Sequence, residues 1–589
     1  MTDYFEVRDH DSAARLGKLR LDDPITTPAL VGDVLRDTYS RWTQADSDSS
    51  EEIEGSSDAV TVLPHRAMPS GTPDEIVKTA SYTKEKYDFP TAEVVNVENP
   101  VASGRDVYIL TGLRKGRARQ VVDAVIGARR TLEPDSALVA PGIATPRNVA
   151  LLAYLGVDGF DEDYTAVQGY GETYMTRDLS VDLDELTELP CSCEVCAGSS
   201  PDDLGREDVA KHNVSMLRAE LATVRDRIRN GRLREYIEGQ VRSERWLVEA
   251  MRLVDQERDY IETRTPVVRN TRLDANSSET LDRIEVKRFA ERVVERYRAP
   301  RTDVGVLLPC SAGKPYSQSK SHQDFRQVIG RRGHEVIVTS PLGVVPRELE
   351  NIYPAAHYDT PVTGRWDAKE REFVSSVFES YVENNPYDRL VAHLPEEGYG
   401  EIVRSVVESK DVEVEFTVKE DEHPRDDDPL ERLGSALDGV EKSPHGILDK
   451  WNVRGVVDYQ FGEDVFDSEL GLSGVEIRGR LPRLRLFGRD EYEDEQLGAL
   501  VPTYGSLALT VKGAEVLDVP RVEIDAFVPH GNVLAPGVLD ADDEIRIGDE
   551  VYFEGEKARG VGRAKMFGDE MARSTRGVSV DVRHVEEVE

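Results

Sequence analysis

Cysteine is scarce in this chain of 589 residues. There are four, three crowded into Cys191-Ser-Cys193-Glu-Val-Cys196 and the fourth alone at Cys310. That grouping leaves no obvious disulfide pair, which excludes a disulfide-stapled scaffold and fits a reducing compartment. Long apolar runs are missing as well. The longest, 137–144 and 149–157, are too short to span a bilayer, and 1–19 is polar and charged with no signal-peptide core. A cytoplasmic protein with no membrane partner is the expectation. Basic charge is also short: 74 Lys and Arg, mostly Arg, face 113 Asp and Glu, for a formal charge of −39. The excess is spread along the chain, as on the solvated surface of a salt-adapted protein, and so does not exclude an RNA partner. At high salt, released counterions gain little entropy, and local charge counts for more than the total.

Length is abundant: at roughly 150 residues per domain the chain holds three to five units. The low-complexity acidic stretch 46–58 reads as a surface loop insertion. From 60 to 179, β-rich runs at 60–63, 107–110 and 137–139 alternate with helical patterns at 117–130 and 146–155, as in a parallel sheet or, preferably, a barrel. Helical spacing of Val214, Leu217, Leu221, Val224 and Ile228 continues to a break at Asn230-Gly231. Arg225, Arg227, Arg229, Arg232 and Arg234 read as an outer basic face, either solvated or tracking phosphates. A second α/β unit follows, with strands at 304–308, 336–339 and 390–392 and an amphipathic helix through Phe373, Val377, Phe378 and Tyr381. The charged run 419–429 reads as a linker, after which short strands and turns run to 509 and a compact piece closes the chain. The expected divisions are 1–184, 185–300, 301–428, 429–512 and 513–589.

Two constellations carry chemistry. Cys310 ends an apolar run at Pro309-Cys310, a small polar loop follows, and a helical pattern begins at Asp324, so its sulfur belongs at a strand's carboxyl end, where α/β folds keep their reactive groups. Lys314, Lys320 and a protonated His322 would favour the thiolate there; the competing reading is a small buried hydrophobe. Cys191, Cys193 and Cys196, with His212 at the start of a helix, offer three thiolates and an imidazole, enough for a closed structural zinc site, although four soft ligands can also hold iron.

Gly156-Val-Asp-Gly-Phe160-Asp161, Tyr164, Tyr174-Met-Thr, the cysteine cluster and His212-Asn213 resemble the second half of archaeal tRNA-guanine transglycosylases, which are (β/α)8 barrels with a Cys3His zinc. Asp161 matches their nucleophile, but their Asp-Ser-Gly stretch, which supplies the partner acid, has no counterpart here. Pro309-Cys310-x-x-x-Lys314-Pro315-Tyr316-x-x-Ser319-x-x-His322 is similar to the archaeosine synthase family, which derives from those enzymes. The segments 533–538, 547–551, 561–566 and 577–580 resemble a PUA domain, a small β-barrel that grips tRNA.

The resemblance implies an α/β multidomain chain: a TIM-barrel-like domain with a zinc subdomain, a second α/β domain and small β-rich carboxyl-terminal domains. It implies an enzyme that converts the nitrile of 7-cyano-7-deazaguanine in the tRNA D-arm into an amidine. A Cys310 thioimidate would form, His322 or Lys314 would give the proton, and Tyr316 and Ser319 would orient. Ammonia, glutamine or lysine would supply the amine, with a homodimer and a second enzyme completing a formamidine left open. Asp161, Arg563 and Lys565 would touch substrate. Between Lys557 and Arg583 the residues Lys557, Arg559, Arg563, Lys565, Arg573, Arg576 and Arg583 outnumber the acids, a local reversal of sign that favours RNA contact. A transglycosylase inserting the free base and a non-catalytic tRNA-binding protein are the rival readings.

Overall fold

The computed structural model describes residues 3–37, 54–63, 73, 75, 86–97, 100–113, 117–361, 366–410, 412–489, 492 and 494–588. Most of the acidic stretch, 46–53, lies outside them. Seven parallel strands form the first large sheet, in the order Ala29–Leu30, Gly159–Phe160, Ala137–Ala140, Val107–Thr111, Thr91–Asn96, Val60–Val62 and Leu35–Asp37. Its two edge strands are joined by residues 31–34 alone, which reach about 18 Å at most. In a flat sheet of seven strands those edges would stand about 29 Å apart. The sheet must therefore curl until its edges approach, the barrel-like form expected from the βα alternation.

Four helices, Arg206–Arg229, Leu233–Gln240, Arg245–Gln256 and Arg258–Arg264, join helices Ala118–Thr131 and Val149–Tyr154 in one apolar core with this sheet. The first buries Val209, Leu217, Leu221, Val224 and Ile228, one stripe at helical spacing, and stops at Asn230 because Gly231 turns with φ +61°. The arginines that follow this stripe do not form one outer face. Arg234 is buried against Glu238 (2.9 Å) and Asp255 (2.6 Å), Arg225 donates to the Pro28 carbonyl (2.6 Å), and Arg232 pairs with Asp274.

The second α/β unit has five strands in the order Gly343–Pro346, His334–Thr339, Val304–Pro309, Arg389–Ala392 and Val414–Phe416, all parallel except the first. Val304–Pro309 is central and buried on both faces, which is why it reads as an unbroken apolar run instead of an alternation. Helix Ala368–Asn384 is started by a capping box in which Asp367 accepts from the Glu370 N–H (2.8 Å) and Glu370 accepts from the Asp367 N–H (2.9 Å). It lays Val374, Val377, Phe378 and Tyr381 on the sheet.

The run 419–429 is no linker. His393 donates to the Pro424 carbonyl (2.8 Å), Arg425 pairs with Asp324 (2.8 Å), and helix Asp427–Ala436 buries Leu433, Ala436 and Leu437 with Phe325 and Ile329. Its charged residues face water while the next turn completes the core of the preceding unit. Beyond it a four-stranded antiparallel sheet, Val475–Arg480 to Ser506–Leu509, packs into the unit's other apolar cluster, with Leu307, Val336 and Val338. The terminal piece is a six-stranded mixed sheet with its own apolar centre. This piece docks back on the first domain, where Arg546 meets Glu262 (2.9 Å) and Thr575 donates to Asp135 (2.8 Å). No helix among the described residues is long and apolar enough to cross a membrane.

Candidate active site

Cys310 sits one residue past the carboxyl end of the central strand Val304–Pro309 and is partly exposed. Loops after the two neighbouring strands converge on it, since parallel strands end at one edge of the sheet. From one side comes Tyr399, whose hydroxyl lies 3.1 Å from Cys310 Sγ and whose ring packs 4.6 Å from that of Trp366. Gly398, at φ +75°, makes the turn that presents Tyr399. From the other side Thr339 bonds Tyr358 (2.8 Å), which in turn bonds Tyr316 (2.5 Å).

Lys314 folds over this aromatic floor. Its Nζ lies 4.1 Å from the Tyr358 ring centroid and 5.7 Å from that of Tyr316, a cation–π seat. The ammonium is buried with no hydrogen-bond partner among the described residues. Burial pushes its pKa below the ordinary lysine value, and the Cys310 sulfur is near enough to offset part of that. An orphaned buried donor is costly unless a further group completes it.

The other residues singled out by sequence do different work. His322 is fully buried: its Nε2–H donates to the Pro309 carbonyl (3.0 Å), and its Nδ1 accepts from Arg347 (2.9 Å), itself tied to Glu335 and Glu350. Burial, then the Arg347 charge, push its pKa down to about 2. A neutral imidazole with both nitrogens engaged neither donates a proton nor activates a thiol, so that expectation is corrected; His322 holds the end of the strand. Ser319 is the N-cap of helix Lys320–Ile329, accepting from the His322 N–H (3.3 Å), and the helix starts four residues before the expected Asp324. Tyr316 is buried beneath Lys314. Tyr399, Trp366 and Tyr358 were invisible to motif reading; the only signal was that loops following adjacent parallel strands meet.

At the first sheet, Asp161 follows strand Gly159–Phe160 and accepts from the Gly142 N–H (2.9 and 3.0 Å). Burial raises its pKa. Arg563 stacks on the Tyr504 ring at 3.7 Å, and Lys565 is exposed. The local excess of cations in the terminal domain is mostly spent internally. Arg583 pairs with Glu550, Arg559 with Glu515 and Glu586, Arg573 with Asp569 and Arg576 with Asp3. Of the seven cations, Lys557, Arg563 and Lys565 have no carboxylate partner among the described residues, so the positive charge left over is smaller than the sequence count.

Cys191, Cys193, Cys196 and His212 come together, with their ligand atoms all within 4.8 Å of one another. A tetrahedral ion with Zn–S and Zn–N bonds of ordinary length sets sulfurs about 3.8 Å apart and sulfur to nitrogen about 3.5 Å. Cys193 and Cys196 sulfurs are 3.5 Å apart and lie 3.5 and 3.3 Å from His212 Nδ1. The other ring nitrogen, Nε2–H, donates to the Met175 carbonyl (2.9 Å), which fixes Nδ1 as the ligand, and Tyr174 stacks on the ring at 3.9 Å. The four residues can hold a metal ion.

Three family models match in order along the chain: Queuine tRNA-ribosyltransferase over 94–245, Domain of unknown function (DUF5591) over 286–437, and PUA domain over 520–585. The chain is 47% identical to "Archaeosine synthase" of Haloferax volcanii and 41% identical to "Archaeosine synthase subunit alpha" of Methanosarcina acetivorans, each alignment covering all of both chains. It is 27% identical to "tRNA-guanine(15) transglycosylase" of Methanothermobacter thermautotrophicus over 79% of this chain and 69% of the relative. Full-length identity at this level, with the Cys310 strand inside the matched central segment, leaves one assignment: the chain belongs to the archaeosine synthase family.

Proposed function

We propose that this chain amidinates a nitrile carried by a 7-deazaguanine base in the D-arm of tRNA, using Cys310 as the nucleophile. The observation that carries the reading is the pairing of a partly exposed strand-end thiol with a buried, unpartnered ammonium over an aromatic floor. Cys310 thiolate adds to the nitrile carbon, and one π bond opens onto nitrogen. That nitrogen takes a proton from the Lys314 ammonium, giving a thioimidate. A neutral amine then adds to the same carbon, the tetrahedral adduct collapses with loss of the thiolate to leave an amidinium, and that cation hands a proton back to the neutral Lys314 amine, releasing the amidine and restoring both groups. Tyr399 orients the sulfur through its hydroxyl, and Trp366 and Tyr399 give an aromatic wall against which a flipped-out base can stack.

Zinc is the metal that fits the three thiolates and Nδ1 of Cys191, Cys193, Cys196 and His212, and in a closed set it is structural. Asp161, without the partner acid of the Asp-Ser-Gly stretch, serves to hold substrate instead of exchanging bases. The test is nucleoside mass analysis after incubating the protein with tRNA that carries the cyano base, offering ammonium, glutamine or lysine in separate reactions. Conversion with one donor, lost in Cys310→Ser, is the expected result. Unchanged conversion in the variant, or none with any donor, would sink the proposal.

A further inference from the structure

The hairpin Val475–Arg480 and Arg483–Gly488 gathers exposed positive charge on an acidic chain. Its inner face packs Val475, Leu484 and Leu486 into the core. On the outer face the register sets Arg478 opposite Arg485 and Arg480 opposite Arg483, and all four are exposed. Like charges directly opposite on antiparallel strands destabilise a hairpin. In a chain with 113 acidic residues to 74 basic ones, opposite charge was readily at hand to relieve that repulsion. Only Arg478 has a carboxylate, Glu476 at 2.8 Å, and it also lies 4.1 Å over the Phe487 ring. Arg480, Arg483 and Arg485 pair with no carboxylate among the described residues.

This is the reverse of the arginines at 559–583 and 225–234, which are largely consumed by ion pairs and buried hydrogen bonds. Two rungs of guanidinium groups, about 7 Å apart along the strand, make a ladder that bidentate phosphate contacts would neutralise. We infer that this hairpin grips the sugar–phosphate backbone of tRNA, contributing affinity without base specificity; the inference rests on tRNA being the substrate.

The experiment measures tRNA binding by fluorescence anisotropy across a potassium chloride series, using the full chain and its Arg480→Ala/Arg483→Ala double variant, with melting curves for both. Weaker binding at every salt is expected, with a slope of log K against log salt shallower by about two, one for each phosphate that the variant leaves un-neutralised. Melting should not fall, because repulsion has been relieved. If the wild-type protein binds tRNA and the variant has the same slope, the hairpin assignment is overturned while the nitrile chemistry stands. A wild-type protein that binds no tRNA overturns both. Loss of retention on immobilised polyglutamate with an unchanged tRNA slope overturns it in favour of an acidic protein partner.

Discussion

Asp161 and Cys310 occupy the same topological place in two different sheets, the first residue or so beyond a parallel strand. Asp161 has its oxygens on the Gly142 N–H, and the charges acting on it, Asp163 and Glu162, are of its own sign. Cys310 faces a phenol and an ammonium. The fold supplies the slot twice, and the companion side chains decide whether the slot does chemistry. The carboxylate has only like-charged neighbours acting on it, whereas the sulfur has a hydroxyl and an ammonium beside it.

Beyond the loss expected for Cys310→Ser, the largest effect should come from making the second region resemble the first. Lys314→Met removes the cation and leaves the aromatic floor, and should lower conversion by about 10²–10⁴-fold with tRNA affinity unchanged. In the wild-type protein activity should fall as pH rises and the ammonium loses its proton. Because burial lowers that pKa, the decline should begin below the ordinary lysine value. Single-turnover rates of wild-type and Lys314→Met proteins across pH decide the matter; a variant that keeps the wild-type rate would remove Lys314 from the mechanism.

Tyr399→Phe should cost less, on the order of tenfold, the worth of one hydrogen bond that positions the sulfur. The rate of Cys310 alkylation at a fixed pH should change in this variant if the hydroxyl positions the sulfur. An unchanged rate would reduce Tyr399 to a packing residue.

His322→Gln sharpens the contrast between reacting and supporting groups. With a folded pKa of about 2 against about 6.5 unfolded, the unfolded chain binds the extra proton between those values. The contribution of His322 is therefore complete above about pH 6.5 and shrinks as pH falls toward 2, at up to about 1.4 kcal/mol per pH unit. Denaturant melts at pH 7.5 and 5.5 should show a shallower acid loss in the variant, together with a drop of about 1–3 kcal/mol at the higher pH. A steep loss of activity with full stability would restore His322 to catalysis.

Sequence disclosed what is local. Val304–Pro309 announces a doubly buried strand by its unbroken apolar run, and the cysteine spacing announces a metal cluster because ligands two and three residues apart fit one ion. What it concealed depends on partners brought from far along the chain. Tyr399 reaches Cys310 across 89 residues, and only the strand order, with Arg389–Ala392 beside Val304–Pro309, brings them together. His322 looked like a proton donor because nothing near it in sequence reveals Arg347, 25 residues on, or its complete burial. The cations of the terminal domain misled for the same reason: sign is written in the sequence, but the pairing of Arg583 with Glu550 across 33 residues is not. The run 419–429 was misread because polarity marks exposure, and an exposed segment can still be anchored at both ends.

The smallest effect should be at Asp161, and its smallness is the point. If the first sheet only holds substrate, Asp161→Asn keeps an acceptor for the Gly142 N–H and removes a charge that burial already disfavours. Conversion of the nitrile should then stay within about threefold of wild type. Any defect should sit in KM and leave kcat alone, as weakened ground-state binding does. A fall of more than about a hundredfold in kcat would mean that the carboxylate takes part in bond making, and the two slots would have to be treated as one divided active site.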